Sequence, residues 1–304
     1  MRNILYIINP VSGTKPKKGL EQLIEVESKK REFSFVIFPS VASGDYSFLY
    51  PIIKEKKITD VVIAGGDGTV SQVVSSLLNS KVNFGIIPCG SGNGLAFTAK
   101  IPKQQAKALE VVFNGKASSI DGFTINNHFA CMLCGLGFDA KVAQDFAKQP
   151  KRGLTTYIQQ VAKNFFSAGS YSFEIKLGNT SLQTDAYFIS IANSNQFGNN
   201  FTIAPEASLS DGLLDIVIVT KQNKLSLLLQ TLKQVIGMNK MLSKGNFEKS
   251  MIAGKKKGIL YFQTDKLSIT NLSQAPLHID GDPAETPEKL NIEIKKKCFR
   301  LIQP

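Results

Sequence analysis

The chain has 304 residues, of which 43% are hydrophobic and 20% charged, so it can bury a large core, and we expect two domains. Its 36 Lys and Arg against 24 Asp and Glu give a net charge of +12, which attracts anionic partners. The basic residues lie in short clusters without a recognisable binding module or stacking aromatic residues among them, and this argues against a nucleic-acid-binding protein.

Predicted strands and helices alternate in the first part of the chain. Strands are predicted from apolar and β-branched runs at residues 4–8, 61–63 and 83–88. Helices are predicted at residues 20–30, from residue 69 onward with Thr69 as its cap, and at 103–114 before Gly115. This alternation indicates a three-layer α/β domain with a parallel sheet, covering residues 1–122.

The pattern changes after residue 122, where short strands are joined by polar turns. We predict strands at residues 123–133, 171–177, 186–192, 214–219, 258–262, 267–271 and 277–279. Such a series favours an antiparallel β-sandwich domain, here residues 123–287. Two apolar-rich helices, at residues 154–166 and 225–242, are expected to interrupt it.

Glycine-rich turns follow three predicted strands of the first domain: residues 9–13 (Asn-Pro-Val-Ser-Gly), 65–69 (Gly-Gly-Asp-Gly-Thr) and 89–94 (Cys-Gly-Ser-Gly-Asn-Gly). Glycines let the backbone approach a ligand, and the N-terminus of a following helix attracts phosphate oxygens. Parallel sheets bind ligands at their carboxyl edge, where these turns would meet. The pattern predicts a nucleotide-phosphate site, although similar turns also occur in α/β proteins that bind no nucleotide.

These motifs, in this order, resemble the signature of the diacylglycerol kinase catalytic-domain family, which includes bacterial lipid kinases, sphingosine kinases and ceramide kinases. Residues 204–215 (Ala-Pro-Glu-Ala-Ser-Leu-Ser-Asp-Gly-Leu-Leu-Asp) and 279–283 (Ile-Asp-Gly-Asp-Pro) resemble its later motifs, so the resemblance covers nearly the whole chain. It implies an ATP-dependent lipid kinase of lipid metabolism, with its active site in the cleft between the domains. It also implies that residues 288–304 return to the first domain.

The resemblance assigns roles to individual residues. It implies that ATP is bound by Asn9, Pro10, Ser12, Gly13, Ser40, Gly65, Gly66, Asp67, Gly68, Thr69, Gly90, Ser91, Gly92 and Asn93. Asp67 would also organise the catalytic Mg²⁺ through water. Asp282 occupies the place of the proposed general base, usually Glu in the family, and Asp280 is the second candidate. Asp-Gly-Asp-Pro is also ordinary turn chemistry, so a purely structural turn is the alternative.

A second, structural Mg²⁺ is implied at Asp211 with Ser208 and Leu213, although a type I turn explains Asp211-Gly212 almost as well. The chain departs from many bacterial relatives at Gly94, where they have an aspartate proposed to join a water network with Asp67. This form of the motif looks more like sphingosine and ceramide kinases. A long-chain base or ceramide is therefore as plausible an acceptor as diacylglycerol.

Two other functions stay open: an NAD kinase-like phosphotransferase, because the motif at residues 65–69 is shared with NAD kinases, and a catalytically silent nucleotide-binding regulator. Residues 135–140 match a dinucleotide fingerprint but lack the acidic residue expected about 20 positions later.

Cys131 and Cys134 are expected to be buried free thiols, since four cysteines do not suggest a disulfide scaffold. No stretch approaches the roughly 20 apolar residues of a membrane span. We therefore expect a cytoplasmic protein that meets its lipid by peripheral contact at the inner membrane face.

Overall fold

The structure is a computed structural model that describes residues 2–13, 19–149, 154–198, 201–222 and 258–304. The helix predicted at residues 225–242 lies outside these residues. Within the described ranges, no helix combines the length and the apolar character needed to cross a membrane.

The first part of the chain is built around parallel strands. These are β1 (Asn3–Ile8), β2 (Ser34–Pro39), β3 (Asp60–Gly65) and β4 (Asn83–Pro88), in the spatial order β2-β1-β3-β4. The helices are α1 (Leu20–Lys30), α2 (Tyr50–Glu55), α3 (Asp67–Leu77), α4 (Gly94–Thr98) and α5 (Gln105–Asn114). All six residues of β3 are buried, so both faces of this central strand are covered, as expected for a three-layer α/β arrangement.

The second part is dominated by antiparallel strands. The strands in chain order are β5 (Lys116–Ile125), β6 (His128–Ala130), β7 (Leu133–Gly137), β8 (Tyr171–Leu177), β9 (Thr180–Ala192), β10 (Gln196–Gly198), β11 (Phe201–Thr202), β12 (Leu214–Thr220), β13 (Ile259–Thr264), β14 (Lys266–Asn271), β15 (Leu277–Ile279), β16 (Asp282–Ala284) and β17 (Lys289–Gln303). Helices α6 (Phe138–Ala147) and α7 (Leu154–Ser167) lie between β7 and β8.

Strand β9 joins the two sheets of the sandwich. Its first half pairs with β8 and its second half pairs with β7 and β12. Apolar side chains from both sheets form one buried cluster, which includes Ile175 of β8, Ile189 of β9 and Ile216 of β12. The predicted fold class, α/β followed by an antiparallel β-sandwich, is confirmed.

The single strand predicted at residues 123–133 is wrong. The chain turns at Asn126, whose φ is +51°, and returns as β6 before β7 begins. Asparagine tolerates this left-handed conformation, and the Asn126 N–H donates to the Asn291 carbonyl at 2.8 Å. Helix α6 is not predicted from the sequence, because the glycines at residues 135 and 137 give no signal for a helix that begins at Phe138.

Strand β17 connects the two sheet systems. Its first part pairs with β14, and its last part runs parallel to β4 through Arg300 and Leu301. Strand β5 pairs with β17 along both parts and passes through the predicted domain boundary at residue 122. The core cluster of the first part also contains Cys131 and Met132, which precede β7. The two parts of the chain therefore share strands and core residues, and the predicted domain limits at residues 122 and 287 stay a prediction.

Gly115 is expected to be intolerant of a side chain, because a Cβ there would lie 2.5 Å from the carbonyl oxygen of Val111 and would also overlap that of Gln303. Both are backbone atoms, which cannot move without distorting α5 or β17. We expect Gly115→Ala to lower the free energy of unfolding by about 1–3 kcal/mol in urea titrations. Gly169→Ala is the control, since no atom lies within 4 Å of the added Cβ. Equal stabilities of the two variants would contradict this packing.

Candidate active site

Three glycine-rich loops meet at the carboxyl edge of the parallel sheet: the first loop (residues 9–13), the second loop (residues 65–69) and the third loop (residues 89–93). The Asn9 side-chain amide donates to the Thr69 hydroxyl at 2.8 Å. A Cβ on Gly66 would lie 3.1 Å from the Gly90 Cα, so the second and third loops touch. Ser40 directly follows β2 at the same edge, where its N–H donates to the carbonyl of Ile8, the last residue of β1, at 2.9 Å.

The first loop is folded around Asn9. The Asn9 carboxamide oxygen accepts the Val11 N–H at 3.0 Å, and the Asn9 carbonyl accepts the Ser12 hydroxyl at 3.2 Å. Gly13 has φ +67°, and a Cβ there would overlap the carbonyl oxygen of residue 89 in the third loop. Pro10 is exposed. The first and third loops can therefore approach this closely only with glycine at position 13.

The second loop leads directly into α3. This helix begins at Asp67 with Gly66 as its N-cap, so the prediction that Thr69 caps the helix is wrong. Thr69 instead lies buried in the first turn of the helix. A Cβ added at Gly65 would lie only 2.7 Å from the Cβ of Thr69, so the two residues are in close contact. The N–H groups of a first helical turn have no partners within the helix, and the helix dipole makes this end positive. The second loop thus offers a cluster of amide donors.

The third loop is shaped by Asn93. Its side-chain nitrogen donates to the Gly90 carbonyl at 2.8 Å, and its side-chain oxygen accepts the Gly90 N–H at 2.8 Å. Asn93 is 3% exposed and has φ +60°. The side-chain amide of Asn93 therefore bonds within the third loop. The partly exposed residues of this loop are Cys89, Gly90, Ser91 and Gly92.

Asp67 links the second loop to the start of α4. Its carboxylate accepts the Asn93 N–H at 2.6 Å and also N–H groups of Gly94 and Leu95. Burial raises the pKa of Asp67 to about 6; these amides oppose the shift, and the nearby Asp280 carboxylate adds to it. Asp67 is therefore mainly ionised at neutral pH, and Gly94 contributes its backbone rather than a second carboxylate.

Asp280 holds three parts of the chain together. Its carboxylate accepts the backbone N–H groups of Cys131 and Met132 at 2.9 Å and of Leu133 at 3.0 Å. It also accepts the Ser71 hydroxyl of α3 at 2.6 Å. Asp280 is 4% exposed, so these donors replace water around a buried charge. We call this group of five residues the Asp280 cluster.

The turn between β15 and β16 carries both predicted carboxylates. Asp280 and Gly281 have φ +49° and +88°, the conformation of a two-residue type I′ hairpin, and Ile279 pairs with Asp282 across it. The Asp282 carboxylate is exposed and lies over Gly68, where an added Cβ would be 2.8 Å from its Oδ2. Asp282 thus faces the N-terminus of α3, whereas the contacts of Asp280 favour a structural role.

The segment predicted as a second metal site contacts β5, β13 and β17. One oxygen of Asp211 accepts the Leu213 N–H at 3.0 Å, and the other faces the Gln263 side-chain amide at 3.4 Å. The Lys296 side chain lies over Gly212, with its ammonium 3.2 Å from an added Cβ. Each carboxylate oxygen faces one N–H donor and keeps further lone pairs, so the structural Mg²⁺ at this segment stays a prediction.

Asp121 fixes this segment to the rest of the fold. Its carboxylate is fully buried and accepts the N–H groups of Gly212 at 2.7 Å and Lys297 at 2.6 Å. Its own N–H donates to the Leu209 carbonyl, beside Ser208, at 2.6 Å. In the described part of the chain, no group of three or more His, Cys, Asp or Glu side chains could hold a metal ion.

Sequence reasoning missed several residues of this region. Ser71 carries no motif, and the donors at residues 131–133 are backbone groups that any residue would supply. Thr98 of α4 donates to the Asn195 side chain at 2.8 Å, a further link between the two parts of the chain. Cys131 and Cys134 are buried free thiols, as predicted, and burial raises the pKa of both well above the usual value.

Family models and known proteins match this architecture. Residues 3–125 match the diacylglycerol kinase catalytic domain, and residues 133–246 match the YegS C-terminal NAD kinase beta sandwich-like domain. A diacylglycerol kinase of Bacillus subtilis (strain 168) is 24% identical over 288 residues, covering 93% of this chain and 90% of that protein.

A protein of Escherichia fergusonii named "Probable lipid kinase YegS" is 30% identical over 223 residues, covering 70% of this chain and 74% of its own. A solved structure described as a diacylglycerol kinase from Bacillus anthracis str. Sterne superposes with a TM-score of 0.73 at 19% identity. That match covers 100% of this chain and 97% of the solved one, so the whole fold is shared.

We expect Asp280→Asn to destabilise the fold, because an amide group would place its own N–H against donors that now face a carboxylate. Hydrogen bonds to a charged group contribute about 1.5–3 kcal/mol, and we expect a loss of this size in urea titrations. Ser71→Ala removes one donor to the same carboxylate and leaves the three backbone N–H groups in place, so we expect it to cost less than Asp280→Asn. A stability of Asp280→Asn equal to wild type would show that the Asp280 cluster does not hold the parts together.

Proposed function

Since this chain belongs to the diacylglycerol kinase catalytic-domain family, we propose that it transfers the γ-phosphate of ATP to a hydroxyl group of a lipid. Membership of a kinase family implies the use of ATP. The lipid acceptor, whether diacylglycerol, sphingosine or ceramide, and the participation of Mg²⁺ belong to the proposal. The observation that carries it is the Asp282 carboxylate, which lies over Gly68 at the positive end of α3.

The three loops supply the phosphate site in this proposal. Amide groups of the second loop and of the first turn of α3 bind the β- and γ-phosphates, because they have no partners within the helix. Ser91 and Gly92 are partly exposed in the third loop and lie beside them. The Asn9 side chain acts indirectly, since its amide is bonded to Thr69 and holds the first and second loops together.

Asp282 acts as the general base. Its carboxylate takes the proton of the lipid hydroxyl while the hydroxyl oxygen forms a bond to the γ-phosphorus and the bond to the β–γ bridging oxygen breaks, which leaves ADP. An exposed carboxylate at the mouth of the site can reach a hydroxyl that enters from outside. Aspartate is one methylene shorter than the usual glutamate, and its Oδ2 lies 2.8 Å from the position of a Cβ added at Gly68, in the first turn of α3.

When bound with the nucleotide, magnesium would neutralise charge on the phosphates. Asp67 is the carboxylate placed to organise it through water, because it lies in the second loop and is partly exposed. Three backbone N–H groups fix its orientation, and its raised pKa of about 6 still leaves it ionised at neutral pH. Asp211 has no role in this step.

Lipid acceptors are held in membranes, so the protein must meet a membrane surface to reach them. The net charge of +12 favours contact with an anionic surface, where each basic residue adds on the order of 1 kcal/mol. We therefore propose a cytoplasmic protein that binds the inner membrane face peripherally during turnover.

The first test is an assay with purified protein, labelled ATP and Mg²⁺, offered a total lipid extract and, separately, NAD. We expect label in the lipid phase, and mass spectrometry of that lipid identifies the acceptor. Label in NADP would instead support an NAD kinase-like enzyme. Nucleotide binding without turnover of either substrate would support a silent regulator and overturn the proposal.

We expect Asp282→Asn to reduce kcat about 10²–10⁴-fold, because the amide cannot accept the hydroxyl proton. The KM for ATP should stay close to that of the wild type, since the loops are unchanged. Glu285→Gln is the control, an exposed carboxylate three residues further along that should leave kcat unaltered. Wild-type turnover by Asp282→Asn would show that the assigned base is wrong.

A further inference from the structure

A buried imidazole lies directly beneath the turn that carries Asp282. His278 of β15 is 2% exposed, and its Nδ1 accepts the Gly281 N–H at 3.3 Å. Its Nε2 lies 3.4 Å from Oδ2 of Asp139, which is 8% exposed in the first turn of α6. The imidazole therefore connects Asp139 of α6 with the backbone N–H of Gly281, the residue between Asp280 and Asp282.

The contacts around Asp139 hold its carboxylate next to the imidazole of His278. Asp139 Oδ1 accepts the Ala140 N–H at 2.8 Å, which fixes the rotation of the carboxylate. Within the described part of the chain, Oδ2 makes no hydrogen bond of standard geometry, and it points at the imidazole. Gly135 of β7 provides the space, since a Cβ there would lie 2.6 Å from Nε2 of His278 and would overlap the Asp139 carboxylate.

This arrangement selects one tautomer of the imidazole. The Gly281 N–H, at 3.3 Å, favours a lone pair on Nδ1, which places the ring proton on Nε2, facing the carboxylate of Asp139. A carboxylate next to one ring nitrogen favours the proton at that nitrogen. Asp139 thus prepares Nδ1 of His278 to accept the Gly281 N–H.

We infer that His278 is a positioning residue for the proposed general base, and that Asp139 sets its tautomer. The turn is held on one side by the Asp280 cluster and on the other by His278, and both constraints orient the next residue, Asp282. This inference rests on the proposed function only where it concerns turnover. The tautomer itself is a property of the folded protein.

The first test reads the tautomer directly by ¹⁵N NMR of histidine-labelled protein at pH 8. The chain has only two histidines, His128 and His278, and His128→Gln assigns the signals. We expect His278 to be protonated at Nε2 and unprotonated at Nδ1. In Asp139→Asn the proton should move, at least in part, to Nδ1. Asp145→Asn is the matched control on the same helix, where the carboxylate pairs with Lys141 at 3.0 Å.

The second test separates the two nitrogens by substitution. His278→Asn keeps an acceptor near the position of Nδ1 but loses the group facing Asp139, whereas His278→Gln reaches the position of Nε2 and lacks an acceptor for Gly281. We expect kcat to fall about 10²-fold in His278→Gln, the effect of a base displaced by about 1 Å. His278→Asn should keep at least tenfold more activity, with the KM for ATP unchanged in both.

Distinct outcomes identify which claim fails. A wild-type imidazole protonated at Nδ1, or a tautomer unchanged by Asp139→Asn, overturns the inference whatever the enzyme does. Equal kcat values in His278→Asn and His278→Gln, or a parallel rise in the KM for ATP, also overturn it. If the wild-type protein transfers phosphate to no lipid, the proposed function fails, and the NMR result still decides the role of Asp139.

Discussion

The architecture of the candidate site depends on one buried carboxylate. Asp280 accepts hydrogen bonds from three consecutive backbone N–H groups before and at the start of β7 and from the Ser71 hydroxyl of α3. The helix that begins at the second loop is therefore bonded directly to the hairpin that carries Asp282. A charge buried this deeply is tolerated only because each oxygen faces donors, and those donors come from both parts of the chain.

The glycine positions follow from the same close packing. The three loops approach within van der Waals distance at Gly13, Gly66 and Gly90, so the exposed amides of the second loop lie next to the third loop. Gly68 leaves room for the Asp282 carboxylate, and Gly135 leaves room for the contact between Asp139 and His278. Glycine at these positions thus serves close approach between parts of the protein as well as the expected approach of a ligand.

Local patterns in the sequence were sufficient for most of the fold and for the loops. An apolar strand, a glycine-rich turn and an amphipathic helix are consecutive, so β1, β3, β4 and their loops could be predicted. The partners of Asp280 could not, because Ser71 lies 209 positions away and the other donors are backbone groups. Asn93 illustrates the same limit: its motif assigned it to ATP, but its side chain bonds to Gly90.

The most direct measurement of the central claim is a crystal structure with a non-hydrolysable ATP analogue and Mg²⁺. We expect a triphosphate bound by the backbone of the second and third loops, with its terminal phosphate between the first turn of α3 and the carboxylate of Asp282. A triphosphate bound away from these loops, or a terminal phosphate on the side of α3 remote from Asp282, would contradict it.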